Sequence, residues 1–122
     1  MSNRYSNGIQ NLKEVDGNGG LDVIESLKDI SPDLGKYIIE FAFGDIYARN
    51  LLDLKQRETV TLASLLTQGA CEPQLKVHIK GALNVGLKKE EIIEIFIQCI
   101  PYVGFPKVLN ATFVAKEIFL QL

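Results

Sequence analysis

From Lys88 to Ile100 the apolar residues Ile92, Ile93, Phe96, Ile97 and Ile100 recur at the spacing of an α-helix. Nowhere does the chain show the strict alternation, bounded by turn residues, that marks a half-buried strand. An all-α fold follows, a bundle of about six helices. The same stretch constrains the fold further, because Ile95 and Cys99 lie off its main apolar stripe. In the segment after Pro106, the residues Val108, Leu109, Ala111, Phe113, Val114, Ile118, Phe119 and Leu120 leave only a thin polar strip. A helix apolar on all sides has to be covered on all sides. A chain of 122 residues has little material to do so. Association of identical subunits supplies the missing cover, and a homo-oligomer is expected.

The rest of the chain is punctuated by helix signals. Residues 4–15 are weakly amphipathic through Ile9, Leu12 and Val15, and Asp16-Gly-Asn-Gly-Gly20 reads as a loop. A short helix is expected over residues 22–30. Ser31-Pro32-Asp33 opens the next, with Ser31 as N-cap and Pro32 in the first turn, running to about Arg49. Asp53-Leu-Lys-Gln56 has the form of a capping box and starts a helix that Gly69 ends. Cys71-Glu72-Pro73 opens another, ending at Gly86. Pro101 closes the helix that starts at Lys88, Tyr102-Val-Gly-Phe-Pro106 forms a turn, and Pro106 starts the last helix. With no repeat and no linker, residues 1–122 read as a single domain, residues 1–20 forming an N-terminal helix and Gly-rich loop.

Composition excludes several classes of function. The net charge of −2, with both signs interspersed, gives no basic patch for nucleic acid. No apolar run approaches the roughly 20 residues that span a bilayer, and the N-terminus lacks a signal-peptide core. Two cysteines, Cys71 and Cys99, without an export signal read as reduced thiols in a cytoplasmic protein. A single histidine rules out a site of two or three His ligands, and two distant cysteines argue against structural zinc. No metal site is expected.

The reactive groups concentrate in Cys71-Glu-Pro-Gln-Leu-Lys-Val-His78. Cys71 falls at a helix N-terminus, where unpaired N–H groups favour a thiolate. His78 lies two turns further along the same face, with backbones on the order of 10 Å apart. Gln74, one turn before His78, is placed to orient the imidazole. On the preceding helix Glu58 either complements the dipole or faces His78 to set its tautomer. Arg49, beside Asn50, either caps its helix or holds a substrate carboxylate. Tyr47 and Tyr102 line either a pocket or the core. On spacing alone, His78 and Cys71 are as readily structural as functional.

Taken together, Glu40-Phe-Ala-Phe-Gly-Asp-Ile-Tyr-Ala-Arg49, Arg57-Glu58, Gln74-Leu-Lys-Val-His78, Gly81-Ala-Leu-Asn-Val-Gly86, Glu90-Glu-Ile-Ile-Glu94 and Tyr102-Val-Gly-Phe-Pro106 resemble the carboxymuconolactone decarboxylase family. The alkylhydroperoxidase-D-like proteins belong to the same superfamily. The resemblance runs from about Pro32 to Ala115 and implies an all-helical oligomer, commonly a hexamer. It implies a small-molecule substrate, a carboxylated lactone or related compact acid, decarboxylated without a cofactor. His78 would be the general acid/base, assisted by Glu58, with Arg49 on a carboxylate and Tyr47, Gln74 and Tyr102 around the substrate. The peroxidase branch places Cys-x-x-Cys at the start of the helix of His78. Here Cys71 matches the first position and Gln74 replaces the second cysteine. The second reading is a thiol peroxidase using Cys71, His78 and Glu58. The third is a non-catalytic helical oligomer that binds a ligand.

Overall fold

The computed structural model describes residues 3–122, and the described residues are helical with no strand. The described residues form six α-helices: α1 (Asn3–Leu27), α2 (Pro32–Tyr37), α3 (Leu54–Gln68), α4 (Glu72–Asn84), α5 (Lys89–Val103) and α6 (Phe105–Leu120). A π-helical segment, Ile38–Ile46, continues α2. None of the described helices is long and apolar enough to cross a membrane. The chain forms two compact units, residues 1–54 and 55–122.

The first unit corrects the expectation of a loop at Asp16–Gly20. The helix passes through this stretch with a kink at Gly17, whose φ of 56° and ψ of −137° lie outside the helical region. Only glycine takes such angles at little cost. A Cβ at Gly20 would come within 2.6 Å of Leu12 Cδ1, so the missing side chain makes room for a core residue. The glycines therefore bend the helix and leave it otherwise intact.

Two further glycines set how closely α1 lies on the π-helical segment. A Cβ at Gly8 would fall on the Ile39 carbonyl, and one at Gly44 on the carbonyl of Arg4. The crossing seals a small core of Leu12, Val15, Ile39 and Phe43. Asn11 donates from Nδ2 to the Phe43 carbonyl at 2.8 Å, and Arg4 grips Asp45 through Nε and a terminal guanidinium nitrogen, each at 2.9 Å.

Pro32 opens α2 as expected, although Ser31 makes no side-chain capping bond. The helix expected to reach Arg49 changes to π geometry at Ile38 and ends at Ile46, the Tyr47 N–H bonding back to the Ala42 carbonyl at 2.9 Å. That i→i−5 bond shifts the register of everything behind it.

In the second unit, α6 packs on both α4 and α5. Leu62, Leu66, Leu75, Ile79, Ile92, Phe96, Ala111, Ala115 and Ile118 form one buried cluster. α3 stops at Gln68 ahead of Gly69, and Lys107 Nζ donates to the Thr67 carbonyl at 2.9 Å, occupying an acceptor at the helix end. α4 ends at Asn84, before the expected Gly86. At the start of α5, the Glu91 carboxylate accepts the Lys88 N–H at 2.8 Å. α5 runs through Pro101 to Val103, so the expected five-residue turn shrinks to Gly104, with φ 87°. The surplus apolar surface read in the last helices is present: Ile97, Leu109, Phe113 and Leu120 are exposed on this chain.

Candidate active site

Glu58 sits in the second turn of α3, in line with Leu62 and Leu66 at i+4 and i+8. That spacing puts a carboxylate on the stripe that faces the core. Its side chain is 0% exposed. A buried carboxylate needs a partner, because desolvation of an unpaired charge costs several kcal/mol. One partner comes from α4. His78 Nδ1 lies 2.9 Å from Glu58 Oε1, and the His78 side chain keeps 19% of its surface exposed. The pair thus has a buried end and an open end. A carboxylate only accepts, so pairing with one calls for the tautomer that carries the proton on Nδ1. That leaves Nε2 as the atom available for proton transfer.

His78 reaches this position because Leu75, Ile79 and Ala82 bury the adjacent face of α4. The helix is therefore anchored on either side of the imidazole. Gln74, expected to orient the ring, is exposed, and Nδ1 faces Glu58 across the helix pair. Cys71 is the N-cap of α4 and half-buried, with no side-chain capping bond. Cys99 is also half-buried, and burial pushes its thiol pKa above the ordinary value. Tyr102, in the last turn of α5, is 81% exposed.

In the first unit Tyr47 and Arg49 come together on the wall of a cleft of about 400 Å³, shared with Asn7, Asn11, Glu14 and Asp53. The Tyr47 ring leans on Phe43, centroids 4.7 Å apart and planes tilted by 32°. The buried Phe43 thereby fixes the aromatic edge of the cleft. Sequence reading missed its polar wall. The signal was the polar face of α1, where Asn7, Gln10, Asn11 and Glu14 recur at i, i+3, i+4 and i+7.

Comparison with known proteins shows the family of the chain. The model of the carboxymuconolactone decarboxylase family matches residues 32–117. The 4-carboxymuconolactone decarboxylase of Acinetobacter baylyi is 33% identical over 120 residues, covering 98% of this chain and 89% of that one. An uncharacterized 15.0 kDa protein of Paracoccus denitrificans is 29% identical over 99 residues, covering 80% and 74%. The nitrosuccinic acid decarboxylase of Metarhizium robertsii is 30% identical over 116 residues, covering 93% and 79%.

Proposed function

Because the chain belongs to the carboxymuconolactone decarboxylase family, we propose that it is a decarboxylase with His78 as general acid/base and Glu58 as the residue that positions it. The observation that carries this reading is the 2.9 Å contact between a partly exposed imidazole and a wholly buried carboxylate. Two related decarboxylases are named for carboxymuconolactone and nitrosuccinic acid. Both molecules hold a carboxylate together with an electron-withdrawing group, a lactone in one and a nitro group in the other. The proposed substrate class is a compact acid of that kind.

Such a substrate needs little from the protein beyond orientation and a proton. The bond between carbon and carboxylate breaks, CO2 leaves, and the electron pair passes into the acceptor group. The product forms when that carbon, or the acceptor conjugated with it, takes a proton from Nε2 of protonated His78. Glu58 holds Nδ1–H, stabilises the imidazolium before transfer and aims Nε2 at the reacting atom. Arg49, with Tyr47 beside it, is proposed to hold a carboxylate in the cleft of the first unit. The surplus apolar surface supports self-association of the chain.

The reading is tested by incubating the enzyme with 4-carboxymuconolactone and with nitrosuccinate in deuterated water. CO2 release with one deuterium in the product is expected from at least one of them. No release from either would remove the decarboxylase assignment. Glu58→Gln is expected to lower kcat about 100-fold with little change in KM, since an amide no longer stabilises the imidazolium. Glu58→Met should lower activity at least as far, because a thioether neither accepts from Nδ1 as a carboxylate does nor stabilises the imidazolium. A Met variant that melts early but turns over normally would make Glu58 a structural residue. Cys71→Ser should retain turnover within about twofold, because no thiol step enters this mechanism.

A further inference from the structure

Two surfaces of the second unit are left open by its own core, and they complement each other. On α6, Val108, Ala111, Ala115 and Ile118 face inward. Leu109, Phe113, Lys116 and Leu120 fall at i, i+4, i+7 and i+11 on the opposite side, and all four are exposed, Phe113 by 61% and Leu120 by 78%. This is a second apolar stripe, about 16 Å long, carrying one positive charge. Between α3 and α5 lies a groove of about 470 Å³, lined by Ala63, Leu87, Ile95 and Cys99, with Glu91 and Glu94 also on its walls. It is an apolar trough with a negative border. α5 contributes its lining from Glu91 to Cys99, about 12 Å of helix, which suits a partner helix of two to three turns.

We propose that the outer stripe of α6 in one copy of the chain seats in the α3–α5 groove of a second copy. Leu109 and Phe113 then fill the trough, and Lys116 meets Glu94. The occupant is argued from complementarity: the groove wants a short apolar helix with a positive charge, and this chain exposes one. The contact joins two different surfaces, so it is heterologous, and repeated contacts close into a ring or run on as a filament. The inference rests on the self-association proposed above and names the surface that performs it. It is independent of the reaction catalysed.

Sedimentation of the full chain across a concentration series tests it. The substituted residues are exposed, and each variant is first checked for an unchanged melting temperature. Phe113→Asp is expected to weaken assembly about 30-fold, the effect of losing a central aromatic anchor. Lys116→Glu and Glu94→Lys are each expected to weaken it several-fold, since each sets like charges opposite one another. The two reversals in one chain should restore assembly towards wild type. Wild-type assembly that Phe113→Asp leaves unchanged, or reversals whose losses add instead of cancelling, would overturn this interface while leaving self-association standing. A wild-type chain that stays monomeric throughout would overturn both. Loss or persistence of decarboxylation decides neither.

Discussion

Replacing His78 by alanine is expected to lower decarboxylation by about 100- to 10,000-fold, the range a positioned general acid contributes. Substrate binding should change much less, because the imidazole acts on charge that appears only in the transition state. The variant has a second effect that must be separated from the first. Glu58 is fully buried and would lose its contact with Nδ1. A buried acceptor that loses a donor costs about 1–3 kcal/mol, so the melting temperature should fall as well. Combining His78→Ala with Glu58→Met replaces both members of the buried pair. The double variant is expected to recover most of the stability and none of the activity. Turnover by folded His78→Ala within threefold of wild type would take the imidazole out of the reaction.

The helix starts were legible because they rest on local chemistry. Pro32 and Pro73 fall in first turns, and Cys71 is the N-cap of α4, where its neighbours Glu72 and Pro73 place it. The apolar stripe of α5 was equally readable, since Ile92 and Phe96 lie four residues apart and both are buried. The kink was not. Asp16-Gly-Asn-Gly-Gly20 carries the composition of a loop, yet glycine permits a break without compelling one. Only Gly17 leaves helical geometry, while Gly20 stays within the helix and accepts Leu12 against it. The π-helical segment was hidden for a related reason. Adding one residue to a hydrogen-bonded turn leaves no trace in composition and blurs hydrophobic periodicity, so the end of that helix was expected at Arg49 and lies at Ile46.

The pairing of Glu58 with His78 stood between these cases. A helix pair that brings them together was one of two readings of Glu58, and spacing gave no means to choose. The clue was its register with Leu62 and Leu66. A carboxylate in line with two core leucines has to find a buried partner, and the only imidazole of the chain lies on the next helix. Gln74 was favoured for the ring because i and i+4 neighbours are evident from sequence. Contacts between helices depend on how the helices cross, which sequence spacing does not state.

The packing behind the pair accounts for the largest expected change in stability. Phe96 is 0% exposed and belongs to the cluster that α3, α4, α5 and α6 build together. Phe96→Ala is expected to destabilise the protein by about 3–5 kcal/mol, the transfer free energy of the ring plus the cavity it leaves. Phe96→Leu keeps most of the volume and should cost about 1.5 kcal/mol or less. Denaturant titration followed by far-ultraviolet circular dichroism measures both, the midpoint falling with little change in slope. The cluster also includes Leu62, one turn from Glu58, and Ile79, next to His78. A cavity at Phe96 therefore loosens the two helices whose spacing sets the 2.9 Å contact. Activity measured well below the unfolding midpoint should fall in Phe96→Ala and hold in Phe96→Leu. If Phe96→Ala lost less than about 1 kcal/mol, the second unit would not depend on this cluster for its stability. If it lost stability but kept full turnover, the catalytic geometry would be set by the α3–α4 pair alone.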